Sequence, residues 1–241
     1  MALPVFFHPG NLVAGQHLWL EEDTARHVVQ VLRMPVGGQF ILTNGKGHAA
    51  TVHITETAKK KCAVYINELV LHQQVKAILH LAVAFTKNTG RNEWLLEKAT
   101  ELGANTITPI QAIRSERERL KPDRWNNILI AAMLQSQQYY LPQLNDPATP
   151  EQLVRYLGNV PQKLVAHCME GKERQPLSVA CKPGLETVIL IGPEGDFTPE
   201  EVELLEQNNF VPISLGHRRL RTETAAMSVC SYFNTINYEE A

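Results

Sequence analysis

The segment from Val188 to Val229 constrains this chain more than any other, because it contains one arrangement twice. The apolar run Val188 to Ile191 breaks into Gly192-Pro193-Glu194-Gly195. A second run, Val211 to Leu215, breaks into Gly216 and the basic segment His217-Arg218-Arg219-Leu220-Arg221. Short apolar runs bounded by glycine and proline read as buried strands. A helix is expected after each. Thr198 is placed to cap the first, with Pro199 at its first position and Glu201 three residues past the cap. The second is expected to begin near Thr222 or Thr224 and to run through Met227 towards Phe233. In open α/β sheets, ligands sit off the carboxyl ends of the strands. One strand–glycine–helix junction is ordinary scaffold; two in tandem, the second rich in arginine, describe a ligand site.

Composition narrows the class. The chain has 241 residues, 44% hydrophobic and 20% charged, as expected of a soluble globular protein of one large or two small domains. No apolar run is long enough to cross a membrane, and the first residues lack the pattern of a signal peptide. Cys62, Cys168, Cys181 and Cys230 are scattered, with no CxxC, and suit reduced thiols in the cytoplasm. The nine histidines form no HxxxH or HExxH, so no metal site is expected. A formal net charge of −2 argues against retention on nucleic acid by bulk electrostatics. A nucleic-acid enzyme of this composition has to gather its Lys and Arg locally.

Taken in order, residues 1 to 72 read as a small β-rich domain. Arg26 to Arg33 is a brief helical or turn segment stopped by Pro35 and Gly37-Gly38. Strands are expected at Gln39 to Thr43, Ala49 to Glu56 and Cys62 to Val70, with a tight turn opening at Asn44-Gly45. Val52 and Ile54 alternate with His53 and Thr55; Ala63, Tyr65 and Asn67 share one face of the last strand. Several short strands with turns between them suggest a small barrel. Leu71 to Lys76 serves as linker to a second domain, residues 73 to 241. This opens on a nearly all-apolar strand, Ala77 to Ala84, of the kind that is buried on both faces in a parallel sheet. An amphipathic helix, Asn92 to Leu102, follows and ends at Gly103. Further expectations are a strand at Thr106 to Gln111, helices at Trp125 to Gln138 and Glu151 to Leu157, a strand at Lys163 to His167, and a loop from Gly171 to Pro183.

The two tandem motifs carry a resemblance. GPEGDFTPEEVE is similar to the pattern GPEGG-F-x-x-x-E, and LGHRRLRTETAA to LG-x-R-I-L-R-x-E-T-A, both found in RNA methyltransferases of the trefoil-knotted SPOUT fold. The family in question, ribosomal RNA small-subunit methyltransferase E, methylates N3 of a uridine in 16S ribosomal RNA. Here Asp196 stands in place of the second glycine and Arg219 in place of an aliphatic residue; Asp tolerates left-handed backbone better than most. EKATELGANTITPI resembles the family's KATELG signature, and Lys87 its lysine after the first strand of the domain. The mixed-charge run Arg114 to Lys121 resembles its E-R-S region, and as a charge run also reads as a solvated face. QSQQYYLPQL resembles E-Q-S-x-R-x-x-x-P, with Leu134 where Glu is usual and Gln138 where Arg is common. RHVVQVLRMPVGG resembles part of the family's N-terminal domain.

The resemblance implies a C-terminal knotted α/β (SPOUT) methyltransferase domain behind a small N-terminal PUA/OB-like β-barrel, acting as a homodimer on 16S ribosomal RNA or the small ribosomal subunit. It implies S-adenosylmethionine as methyl donor. Apolar walls would come from Ile191, Leu215 and Leu220, and Gly192, Gly195 and Gly216 would allow close approach because they lack Cβ. His167, Pro193, Glu194 and Thr222 complete the expected cofactor residues. Arg218 and Arg221 are the candidate catalytic pair, positioning the base and its phosphates. Glu223 is a candidate base or orienter, or simply an acid favoured at its helix N-terminus. Arg26, His27 and Arg33 would touch RNA on this reading, or else merely solvate the barrel. Rival readings are methylation of a different RNA or atom, and a non-catalytic RNA-binding ribosome-assembly factor.

Overall fold

The computed structural model describes residues 3–58, 60–116 and 121–238. Arg117, Glu118, Arg119 and Leu120 of the mixed-charge run, and Met1 and Ala2 of the amino terminus, lie outside the described residues. The chain divides into two units. One runs as far as Gln74 and takes in Met133–Leu141; the other comprises Val75–Ala132 and the chain from Pro142 onward.

The first unit is built on a five-stranded sheet: β1 (Val5–Phe7), β2 (His17–Trp19), β3 (Gln39–Thr43), β4 (His48–Ala58) and β5 (Lys61–Leu71), in the order β1-β3-β4-β5-β2. Period-two patterning drives it. Val52 and Ile54 of β4 are fully buried beside Phe40, Leu42, Cys62, Val64 and Ile66, while His53 and Thr55 are half-buried on the other face. On β5, Cys62, Val64 and Ile66 face this core, so Ala63, Tyr65 and Asn67 share the opposite face. The segment expected at Arg26 begins earlier, as helix α1 (Glu22–Arg26) followed by one π-helical turn, His27–Val31. β1 and β2 have only three residues each, too few for any periodicity to announce them.

The turn from β3 to β4 has a partner distant in sequence. Asn44 Oδ1 accepts the Lys46 amide at 2.9 Å, and Gly45 and Gly47 take φ of +68° and +87°. Leu141 N–H donates to Gly45 O, and Gly47 N–H to Tyr139 O, each at 2.8 Å. Tyr140 Oη donates to His72 O at 2.8 Å, and the Tyr139 ring stacks on His72 at 4.1 Å. The segment QSQQYYLP is therefore a clasp on the hairpin of the first unit.

The second unit is a parallel sheet of β6 (Leu79–Ala84), β7 (Thr106–Ile110), β8 (Gln143–Leu144), β9 (Gln162–Ala166), β10 (Gln175–Pro176), β11 (Thr187–Ile191) and β12 (Val211–Ser214). Its order is β10-β12-β9-β11-β6-β7-β8. β11 pairs with both β6 and β9, and all five of its residues are buried, which explains its unbroken apolar sequence. The helices are α2 (Thr89–Glu101), α3 (Pro122–Gln135), α4 (Pro150–Leu157), α5 (Leu177–Ala180), α6 (Pro199–Gln207) and α7 (Thr222–Ile236). The stretch Gly171 to Pro183 is not a plain loop: it contains β10 and α5. A two-residue edge strand with proline at its second position gives no sequence signal. Gly103 closes α2 at φ +81°, as its position after the apolar stripe requires.

Candidate cofactor and RNA site

The strand order sets β9 between β11 and β12, so the carboxyl ends of three strands distant in sequence lie side by side. Off those ends lies a cavity of about 350 Å³. β9 contributes Ala166, His167 and Cys168; β11 contributes Ile191, Gly192, Pro193, Glu194 and Asp196; β12 contributes Ile213, Ser214, Leu215 and Gly216. Arg218, Arg219, Leu220, Arg221, Thr222 and Ala225 close it from the turn into α7, with Arg174 from the turn before β10.

The two junctions are built differently. At the first, Thr198 Oγ1 accepts the Glu201 amide at 3.2 Å and Glu201 Oε2 accepts the Thr198 amide at 2.9 Å, the reciprocal cap expected for α6. Glu201 Oε1 also accepts the Ile113 amide at 2.8 Å, tying the chain after β7 to this helix. Phe197 is fully buried behind the turn, and a Cβ on Gly192 would stand 2.9 Å from its ring. Gly195 is not among the lining residues; a Cβ there would meet the Cβ of Arg114 at 3.2 Å, and Arg114 Nη1 donates to Gly195 O at 3.1 Å. The space a Cβ would take at Gly192 and Gly195 is thus occupied by the protein's own side chains, while Gly192 also lines the cavity. At the second junction Gly216 sits at φ +115° with nothing within 4 Å of a Cβ, and Arg218, Arg219 and Arg221 are exposed with no ion pair among the described residues.

Asp196 adopts φ +61°, and its carboxylate joins neighbouring strand ends: Oδ2 accepts the Cys168 amide at 2.8 Å and Oδ1 the Phe197 amide at 2.9 Å. Thr222 Oγ1 donates to Gly192 O at 3.3 Å, pinning the start of α7 to the first junction. His167 is buried, and burial pushes its pKa below the ordinary value. Its Nδ1 accepts the Met169 amide at 3.2 Å, so the neutral ring carries its proton on Nε2, which is buried without a hydrogen-bond partner among the described residues. Arg174 Nη1 donates to His167 O at 2.7 Å.

Glu223 is buried in the first turn of α7 and is not among the lining residues. Its Oε1 lies 3.6 Å from Arg91 Nε, and Arg91 Nη1 lies 3.5 Å from Glu194 Oε1. Its Oε2 is buried and has no hydrogen-bond partner among the described residues. Sequence reading missed Arg91 and Arg174 as parts of this region. The usable signal for Arg91 was the cap at Asn88, whose side chain accepts the Arg91 amide at 3.1 Å and so sets it in the first turn of α2. In the first unit Arg26, His27 and Arg33 are all exposed on α1, the π turn and the bend after it. Arg26 pairs with Asp23 at 3.1 Å, the His27 ring meets Phe6 edge-on at 5.5 Å, and Arg33 takes φ +51°. Among the described residues, no three His, Cys, Asp or Glu side chains are grouped so as to hold a metal ion, and no helix is long and apolar enough to cross a membrane.

A parallel α/β sheet whose strand ends frame an apolar, arginine-rimmed cavity, in a chain with a separate β unit, defines a class that comparison makes specific. Residues 73–234 match the RNA methyltransferase domain family and residues 20–66 the RNA methyltransferase PUA domain. The ribosomal RNA small subunit methyltransferase E of Bacillus subtilis is 30% identical over 225 residues, covering 87% of this chain and 88% of that protein. The Neisseria gonorrhoeae protein of the same name, solved bound to S-adenosyl methionine, superposes with a TM-score of 0.81 at 27% identity, covering 98% of each chain. A Legionella pneumophila protein solved with bound cofactor SAM gives a TM-score of 0.87 at 32% identity, over 98% of this chain and 99% of that one. The chain belongs to the ribosomal RNA small subunit methyltransferase E family of RNA methyltransferases.

Proposed function

We propose that this protein transfers a methyl group from S-adenosylmethionine to N3 of a uridine in 16S ribosomal RNA, with the cavity at the ends of β9, β11 and β12 as its cofactor site. The observation that carries this reading is the pairing of a largely apolar cavity with three exposed arginines at its mouth that form no ion pair among the described residues. The residues fit the cofactor: Ile191, Leu215, Leu220 and Ala225 offer apolar wall for an adenine plane, and the buried Nε2–H of His167 lacks an acceptor among the described residues, which a ligand oxygen or ring nitrogen could supply. The bound cofactor would supply an electrophilic methyl on a cationic sulfur.

Uridine N3 carries a proton, and its loss to solvent leaves negative charge shared by N3, O2 and O4; that charge is discharged when N3 takes the methyl and the bonding pair returns to the donor sulfur. Arg218 and Arg221 are assigned to the stabilisation of that charge and to the flanking phosphates. Glu223, held by Arg91 away from the cavity surface, is assigned the orienter's part: it fixes the first turn of α7, on which Arg221 and Thr222 sit. N3 lies on the pairing edge, so the target uridine has to be unpaired or extruded when it is presented. Arg26, His27 and Arg33 of the PUA-like unit are assigned to RNA, and two copies of the chain are expected to associate.

The test is direct. Protein incubated with S-adenosylmethionine and small ribosomal subunits lacking the modification should yield 3-methyluridine by nucleoside mass spectrometry. Arg221→Ala should fold normally and lose roughly 10²-fold or more in turnover, the usual effect of removing one charge-stabilising donor. Methyl-uridine in no RNA fraction, or full turnover in Arg221→Ala, would sink the assignment.

A further inference from the structure

Asp196 stands where the GPEGG pattern that the motif resembles has glycine, and with Arg219 it is one of two such departures that line the cavity. The departure carries a backbone cost: φ +61° is comfortable for glycine and mildly strained for Asp. Asp196 lines the cavity, and its carboxylate accepts two backbone N–H groups, from Cys168 and Phe197, which fix it in place. It forms no ion pair among the described residues. The other acidic residue lining the cavity, Glu194, is partnered by Arg91 at 3.5 Å. Asp196 therefore brings a fixed, half-buried negative charge, without an ion pair among the described residues, to a cavity whose remaining charged side chains are chiefly arginines.

A fixed negative charge acts on the charge of whatever occupies the cavity. The methyl donor and its demethylated product differ by one methyl and one positive charge: the donor carries a sulfonium, the product a neutral thioether. We propose that Asp196 is a specificity-determining residue that makes this cavity prefer the cationic donor over the neutral product, and so limits product inhibition. The inference rests on the methyltransferase reading above. A cavity of this volume is on the order of 10 Å across, so a sulfonium bound anywhere in it lies within effective Coulomb range of the carboxylate. The arginines at the mouth oppose the effect, but they are exposed and screened by solvent and salt, whereas Asp196 is half-buried. The two amide hydrogen bonds leave lone pairs on both carboxylate oxygens free to face a ligand.

Calorimetric titration of the intact protein with S-adenosylmethionine and with S-adenosylhomocysteine, at low salt, tests this. Asp196→Asn removes the charge, keeps one acceptor oxygen and tolerates the same backbone; Asp196→Gly restores the glycine of the GPEGG pattern and removes the tie to Cys168. In Asn the donor should weaken about tenfold while the product changes less than about twofold. In Gly the same tenfold loss of preference should appear on top of any weakening common to both ligands. Parallel weakening of donor and product in both variants would make Asp196 a loop clamp only and overturn the inference. Failure of the wild-type protein to bind either compound would instead overturn the methyltransferase reading, and this one with it.

Discussion

The two strand–glycine–helix junctions look alike in sequence and behave as opposites in space. At the first, glycine is required by the protein: the Cβ that Gly192 lacks would press on the buried Phe197 ring, and Asp196 ties the turn to the end of β9. At the second, glycine answers to backbone alone: Gly216 takes φ +115° in open space, and the arginine side chains beyond it form no ion pair among the described residues. One junction is a rigid wall and the other a charged rim. The difference teaches that a glycine beside a ligand site is not thereby a glycine for the ligand.

Three substitutions measure that contrast. The largest effect belongs to Gly192→Ala, which forces a Cβ to within 2.9 Å of a ring that has nowhere to go. Overpacking of this kind should cost about 1–3 kcal/mol in a urea titration, with cofactor affinity falling alongside. A variant as stable as wild type would show that the wall is soft. Next is Gly216→Ala, where the cost is left-handed backbone without a clash. A loss of about 1–2 kcal/mol is expected, and a melt unchanged from wild type would mean that the rim relaxes to another conformation. The smallest effect should come from Gly195→Ala. Its φ is unstrained and the neighbour at 3.2 Å is the Cβ of the exposed Arg114, which has to give by only a few tenths of an ångström, so a change of less than about 1 kcal/mol is expected. A larger loss would place Gly195 with Gly192 as part of the packed wall.

Much of the second unit is readable because its signals are local. The reciprocal cap at Thr198 and Glu201, the apolar β11, and the close of α2 at Gly103 each depend on residues within a few positions of one another. Two strand ends of the cavity follow from the tandem pattern, and the third from the end of β9 at His167. What escaped depends on chain brought together from afar. β1, β2, β8 and β10 have two or three residues each and exist because a neighbour offers an edge. Arg91 meets Glu194 and Glu223 across more than a hundred positions of sequence, and no periodicity encodes such a meeting. Asp196 stands out in the sequence only as a departure from a pattern; the Cys168 amide it accepts lies 28 positions away.

The clasp on the β3–β4 hairpin has a consequence for the order in which the chain acquires its shape during synthesis. Strands β1 to β5 are all made by Leu71, yet the carbonyl of Gly45, the amide of Gly47 and the carbonyl of His72 find their partners only in Tyr139, Tyr140 and Leu141. At ordinary translation rates of about 5–20 residues per second those partners follow several seconds later. For that interval the nascent amino-terminal unit carries an unclasped hairpin, and β6, α2, β7 and all of α3 are translated before the clasp can form.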